Sequence, residues 1–402
     1  VTGGFPVALV ADEDPGWGGI GTYTEVLARG LAELGHRVHV ILRGWEEDSR
    51  HQDDGLVVHR LVVADPTWRR GTVAASSRVY ETRESIVFSA RVARLVARLA
   101  TEQGLVLVEA PEFHAINLVS AFRRRLLRRP PAVVTRLHTP SYLTARMDRE
   151  PWTVDLLAQE LLEHASVRTA TAISAPSAAL ADQVCRRWRL RRRRIQVVPN
   201  PIDVELFAPA GNDPVPASIL VAGRVEPRKG QELMVEALPA IRAAVPGVRL
   251  WLVGDDSREG AATAALQRRA RALGLEEEAI VADGAVPRSA LPEIYRSAAV
   301  CVVPSAFENF PYTCLEAMAC GRPVVGSQEG GTAEMIGDGK DGRLFPPGDV
   351  DALADVVARI LSDEDDRERM GRAARETVLR RYATPVIARQ MSELYTATQA
   401  PS

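Results

Sequence analysis

The sequence predicts an α/β protein made of two doubly wound halves, each a parallel sheet covered by helices. Three observations predict it. Short apolar runs alternate with amphipathic stretches along almost the whole chain. The alternation breaks once, around residues 199–217, in a stretch rich in proline, asparagine, aspartate and glycine, and then restarts. The length of 402 residues, 46% hydrophobic and 25% charged, exceeds what one ordinary core accommodates.

The elements follow in order. "FPVALVA" (5–11) is a short buried strand, followed by the polar, glycine-bearing "DEDPGWGGIGTYT". "TEVLARGLAELG" reads as a helix that Gly35 ends from the C′ position. "VHVIL" (38–42), "GLVLVEA" (104–110) and "PAVVTRLH" (131–138) read as strands, the last two with polar residues at their carboxyl ends. Beyond the break, "SILVAGRVEPRKG" (218–230), "GVRLWLVGDD" (247–256) and "AAVCVVPS" (298–305) are strands separated by helical patterns. The final segment, 385–398, is amphipathic and follows Tyr382-Ala-Thr-Pro385, which interrupts the preceding helix. Open parallel sheets bind ligands beyond the carboxyl ends of their strands, so two such sheets facing each other would form a cleft.

Composition narrows the function. A net charge of −2 gives no global basic field for nucleic acid. No apolar run reaches the ~18 residues of a membrane span. The opening "VTGGFPVALVADEDP" lacks a basic region before its apolar stretch, so a secretory signal is not expected. Cys185, Cys301, Cys314 and Cys320 show neither metal-ligand nor disulfide spacing, and a reducing cytoplasm is the simplest compartment. Lys229 and Lys340 are the only lysines among 50 basic residues, so arginine bias makes a retained lysine informative. The run "RRWRLRRRR" (186–194) could make a weak peripheral contact with anionic lipid. A solvated helix end is the favoured reading of it, because arginine is abundant throughout and the net charge is near zero.

Two motifs carry chemistry. In "AFENFPYTCLEAMACGRPVV" (306–325) Glu308 falls in a loop and Glu316 inside the helix that follows, with Pro311 fitting the first turn. A helix start favours anions, and the two carboxylates could each accept hydrogen bonds from a vicinal diol. Thr313-x-x-Glu316 is equally a capping box, and on spacing alone that structural reading is preferred. "GRVEPRKG" (223–230) puts Arg224 and Lys229 on a strand-to-helix loop, suited either to phosphate or to simple solvation.

Taken together, "GRVEPRKG" about 80 residues before Glu-x7-Glu resembles the retaining glycosyltransferases of family 4, across nearly the whole chain. "GGIGTY" (18–23), "LAELGHRVHV", "VVPNPIDVELFAP" and "EGGTAEMI" (329–336) extend the likeness. The resemblance implies the GT-B architecture: two Rossmann-like domains facing across a cleft, 1–205 for the acceptor and 206–384 for the donor, with 385–402 crossing back as a helix. It implies a hexose-type transfer from a nucleoside diphosphate sugar to an acceptor hydroxyl, with retention and without a metal or other cofactor. Arg224 and Lys229 would neutralise the diphosphate. Glu316 would hold the ribose, and Glu308 would face the sugar, with Asn309 and Phe310 beside it. Gly19 would let the backbone approach phosphate, and His138 would contact the sugar.

The acceptor is expected on the first half. Glu109, Glu112 and His114 are strand-end candidates, with Trp17 and Tyr142 as apolar walls; each could equally be ordinary loop packing. "DED" (12–14) resembles a metal-binding pattern, but it is far in sequence from the diphosphate motif and reads as loop solvation or acceptor contact. Pro311 stands where many relatives have glycine and removes one N–H from the donor corner. Pro201 likewise replaces a usual glycine. Competing readings are a GT-B sugar-nucleotide binding protein, an epimerase or coupling enzyme, and a dinucleotide-dependent oxidoreductase. The last lacks a third spaced glycine and an acidic residue closing the second strand. The donor base, sugar, acceptor and oligomeric state stay open.

Overall fold

The computed structural model describes residues 4–14, 18–44, 47–53, 55–63, 80–123, 130–210, 214–256 and 260–399. They form two compact units, Val1–Pro201 with Thr384–Ser402, and Ile202–Ala383.

The first unit carries β1 (Pro6–Ala11), α1 (Gly18–Glu33), β2 (Arg37–Gly44), β3 (Ser49–Asp53) and β4 (Leu56–Val62). It continues with α2 (Tyr80–Glu102), β5 (Leu107–Pro111), α3 (Leu118–Arg123), β6 (Ala132–Arg136), α4 (Ser141–Met147), α5 (Val154–Thr169), β7 (Ala172–Ala175), α6 (Ala178–Trp188) and β8 (Ile195–Val197). The strand order is β3-β4-β2-β1-β5-β6-β7-β8. All six residues of β1 and all five of β5 and of β6 are buried, as befits central parallel strands covered on both faces. The β3–β4 pair is antiparallel, an edge hairpin that the sequence reading did not anticipate.

The second unit contains β9 (Ser218–Ala222), α7 (Gln231–Ala244), β10 (Arg249–Val253), α8 (Ala261–Ala272), β11 (Ile280–Gly284) and α9 (Leu291–Ser297). Then come β12 (Val300–Val303), α10 (Tyr312–Ala319), β13 (Val324–Ser327), α11 (Gly330–Met335), β14 (Gly342–Phe345), α12 (Val350–Ser362) and α13 (Glu364–Arg381). Its order, β11-β10-β9-β12-β13-β14, is parallel throughout. Apolar cores lie on both faces of the sheet, one under α7, α8 and α12 and the other under α9, α10 and α13.

Each sheet has one switch point, where consecutive strands leave in opposite directions. In the first unit it lies between β1 and β5, in the second between β9 and β12. The loops that follow those four strands hold most of the residues singled out above.

The 199–217 stretch is less of a free linker than its composition suggests. Ile202 and Phe207 are fully buried in the second unit. Arg296 and Arg375 hydrogen-bond the carbonyls of Ala208 and Phe207 at 2.7 and 3.1 Å.

The last helix, α14 (Thr384–Gln399), belongs to the first unit and packs on α1. Gly30 leaves the room that Thr384 and Ala388 occupy, and Ser392 is 2.8 Å from the ring of His36. Among the described residues no helix is long and apolar enough to cross a membrane.

Candidate functional site

At the second unit's switch point, Lys229 Nζ donates to Glu308 Oε1 at 2.6 Å. Ser305 Oγ donates to the same oxygen at 2.9 Å. The pair is mostly screened from solvent, with side chains 21% and 12% exposed. Burial works to raise the Glu308 pKa, but the Lys229 charge and hydrogen bond, with Arg228 and Ser305, hold it below the usual carboxylate value. The backbone explains why the two loops meet so closely. A Cβ on Gly230 would collide with the carbonyl of Pro304, and one on Gly331 with the carbonyl of Asn309. Gly331 N donates to Glu308 O at 2.7 Å, so the glycine pair after β13 is what seats the Glu308 loop.

Arg224 behaves differently from Lys229. Its side chain is 58% exposed and pairs with Glu226 at 3.1 Å, which also holds Arg228 at 2.7 Å. The structure therefore places Arg228, which the sequence reading passed over, as the second basic charge acting on Glu308.

Glu316 is not part of a capping box. The N-cap of α10 is Pro311 (φ −71°, ψ 128°) with no side-chain cap, so Pro311 stands one place before the first turn and Thr313 lies inside the helix. Glu316 is 3% exposed and accepts from Tyr295 Oη at 2.9 Å and Arg288 Nη1 at 3.4 Å. Burial raises its pKa, opposed by Arg288 and Tyr295. A carboxylate held by two donors keeps lone pairs free for further donors such as sugar hydroxyls. Asn309 is buried, and the Phe310 ring packs edge-on against Tyr382 at 5.4 Å in the core, so Phe310 can offer a ligand only its backbone.

In the first unit, the three carboxylates of "DED" each have a protein partner. Asp12 Oδ2 is 2.9 Å from His114 Nδ1, and Asp14 pairs with Arg60. Glu13 Oε2 accepts from the amides of Ile20 and Gly21 at 3.1 and 3.2 Å, so the start of α1 is capped by the chain's own carboxylate. A Cβ on Gly21 would collide with the carbonyl of Asp14, and Gly18, beside the Glu13 carboxylate, has φ 64°, whereas the space beside Gly19 is open.

His138 follows β6. Its amide donates to both oxygens of Glu112 at 2.9 and 2.8 Å, and its ring meets Tyr23 edge-on at 5.1 Å. Burial and the Arg136 charge push its pKa well below 6.5, which keeps the imidazole neutral near pH 7. His114 has φ 58°, a conformation unusual for a non-glycine residue. Its pKa is raised: burial lowers it, but the Asp12 hydrogen bond and charge outweigh that.

Several acceptor expectations need correction. Glu109 is 2% exposed, and both oxygens are taken by Tyr23 Oη at 2.8 Å and Tyr395 Oη at 2.9 Å. Glu112 is fully buried beneath the His138 amide. Tyr142 is buried edge-on against Trp188 at 5.7 Å, a packing residue and not an exposed wall. Among the described residues of this set, His114 alone keeps a partly exposed side chain, at 21%. Trp17 lies outside the described residues. The sequence reading also missed Arg136, which is fully buried, lies 4.6 Å over the Tyr23 ring and donates to Asn200 at 2.8 Å. An arginine inside "AVVTRLH" was the available signal.

Comparison with known proteins bears on the family and the fold. Residues 17–206 match the family model described as glycosyltransferase family 4, and 205–377 the one described as glycosyl transferases group 1. A D-inositol 3-phosphate glycosyltransferase of Segniliparus rotundus is 31% identical over 190 residues, 45% of this chain and 42% of that protein. The chain spans about half the length of the first curated relatives it matches. The D-inositol 3-phosphate glycosyltransferase of Paenarthrobacter aurescens is 28% identical over 378 residues, 90% of each chain. Among solved structures, sucrose-phosphate synthase from Thermosynechococcus elongatus superposes with a TM-score of 0.78 at 22% identity, covering 98% of both chains.

Proposed function

Since this chain belongs to the family-4 glycosyltransferases, we propose that it transfers a hexose-type sugar from a nucleoside diphosphate sugar to an acceptor hydroxyl. The observation that carries this reading is the corner where Lys229, Glu308 and the Gly330–Gly331 backbone converge, with Glu316 buried in α10 beside it in sequence.

The roles follow from charge. Lys229 and Arg224, joined by Arg228, meet the negative charge that develops on the leaving diphosphate, helped by the start of α10. Pro311 brings no N–H to that end, so the donor makes one amide contact fewer there. Glu316 takes the ribose hydroxyls and Glu308 the sugar, with the Asn309 and Phe310 amides beside it. Within the first unit, Gly19 and His138 are the residues we assign to the sugar nucleotide, His138 as a neutral hydrogen-bonding imidazole. Orientation and charge stabilisation suffice for transfer with retention, and we assign no metal to it. The acceptor class we favour is a polyol on a glycan, lipid or small molecule. We infer a reducing cytoplasm as its setting, since Cys185, Cys301, Cys314 and Cys320 are all free thiols.

Calorimetry with UDP, GDP, ADP and NAD, on wild type and on Arg224→Ala/Lys229→Ala, tests the donor assignment. One nucleoside diphosphate should bind, and the double variant should lose it. Binding of NAD alone, or diphosphate binding indifferent to both residues, would sink the reading. His138→Ala should lower turnover more than nucleotide affinity; a loss of thermal stability alone would make that histidine a packing residue.

A further inference from the structure

The outward face of α5 carries an apolar stripe that the first unit's packing does not use. Val154, Leu157 and Leu161 recur at helical spacing and are 58%, 48% and 69% exposed, and Trp152, just before the helix, is 52% exposed. Leu161 is the most exposed of the chain's described large hydrophobic residues. Four such residues within ten positions form a patch, where scattered single residues would mean nothing. Arg168, also exposed, continues the same face toward the helix end.

The arginine run 186–194 is fastened to this helix. Arg187, at the end of α6, donates to both oxygens of Glu160 at 2.6 and 2.8 Å, and its guanidinium lies 5.7 Å over the Trp152 ring. All seven arginines of the run are exposed. Arg187 and Arg192 have carboxylate partners, Glu160 and Asp182. Arg186, Arg189, Arg191, Arg193 and Arg194 have no ion pair among the described residues. The nearby acidic groups are thus largely engaged: Glu160 and Asp182 by arginine, and Asp155 by the amides of Glu81 and Thr82.

We propose that this face of the first unit docks on an anionic lipid bilayer, with Trp152, Val154, Leu157 and Leu161 entering the headgroup boundary and the arginines on lipid phosphates. A helix lying in the interface needs an apolar stripe bordered by cationic residues, and tryptophan is at home at that depth. The solvated helix end favoured from sequence leaves the aliphatic stripe without a role. Nucleic acid would use the arginines and not the leucines. A two-fold contact between copies would set five unpaired arginines near their own images, at a repulsive cost. This docking does not rest on the transferase reading, and its test needs no catalysis.

The test is co-sedimentation of the full chain with phosphatidylcholine vesicles, with and without phosphatidylglycerol. Leu157→Ser/Leu161→Ser and Arg191→Ser/Arg193→Ser/Arg194→Ser are the variants, all at exposed positions, with circular dichroism confirming the fold. Wild type should favour the anionic vesicles, and each variant should bind about tenfold more weakly. Equal, weak binding to both vesicles would overturn the proposal. So would a leucine variant that binds like wild type, since that means charge adsorption only. A leucine variant that converts a dimer to a monomer while vesicle binding stays unchanged would assign the stripe to a contact between copies, and would overturn it too.

Discussion

The hydroxyl of Tyr395 donates to Glu109 at 2.9 Å, joining the last helix of the chain to the middle of a central strand 286 residues earlier. Tyr23 takes the other carboxylate oxygen at 2.8 Å, and the Arg136 guanidinium lies over the Tyr23 ring. All four groups are buried, so no water can replace a deleted donor. Tyr395→Phe should therefore destabilise the first unit by about 1–3 kcal/mol, the cost of a buried acceptor left short of a partner. Tyr23→Phe should cost a similar amount, and the double variant should depart from additivity because both donors serve one carboxylate. Urea unfolding of the four proteins measures this; a neutral Tyr395→Phe would mean that apolar packing, not the hydrogen bond, holds α14.

Lys229 separates structure from function at the proposed donor corner. Lys229→Met strands Glu308 in a mostly buried position, which should cost roughly 1–3 kcal/mol and raise the Glu308 pKa once its main opposing charge is gone. Adding Glu308→Gln should recover most of the stability, because no charge then remains unpaired. It should not recover nucleotide binding. Differential scanning calorimetry and nucleotide titration on the single and double variants check the two halves of this statement separately.

The contrast between these sites shows what was legible in the sequence. The two parallel sheets could be read because their strands are apolar runs at regular intervals, and the meeting of the Lys229 and Glu308 loops because "GRVEPRKG" and Glu308 lie directly after β9 and β12. The β3–β4 hairpin was missed because its first strand, "SRHQD", is wholly exposed and carries no apolar pattern. Thr313-x-x-Glu316 misled because a capping-box spacing says nothing about where the helix begins, and Pro311 set that start two residues earlier. Glu109 reads from sequence as an acceptor candidate because nothing near it in sequence announces Tyr395. Local pattern finds loops; it does not find the distant partners that bury them.

The buried carboxylates Glu112 and Glu163 should make stability depend on pH. Burial raises both pKa values, Glu112 to about 8 with the Glu163 charge as a second cause, and Glu163 to about 7 against the hydrogen bonds from Ser141. The native state then holds protons that the unfolded chain releases from about pH 4.5 upward. Stability is thus greatest below that value and falls as pH rises toward 8, by up to about tenfold in the folding constant per pH unit for each proton. The two protons leave as a coupled pair. Urea midpoints from pH 5 to 8 should fall more steeply in wild type than in Glu112→Gln, which keeps the shape without the charge. Parallel curves would show that Glu112 titrates normally.

Gly19 and Gly331 are both glycines in site loops, and substitution by alanine should affect them in opposite ways. A Cβ at Gly331 would collide with the carbonyl of Asn309, so Gly331→Ala must displace the Glu308 loop, lowering melting temperature and nucleotide affinity together. A Cβ at Gly19 meets nothing within 4 Å, and the residue sits in the first turn of α1, where alanine is the better helix former by up to ~1 kcal/mol. Gly19→Ala should therefore leave the melting temperature unchanged or slightly higher. If backbone must come close to donor phosphate there, turnover should still fall by at least about tenfold, since a misplacement of about 1 Å can cost more than that. Activity equal to wild type in a stable Gly19→Ala variant would remove the phosphate role from that loop and leave Glu13 as the group that fills the start of α1.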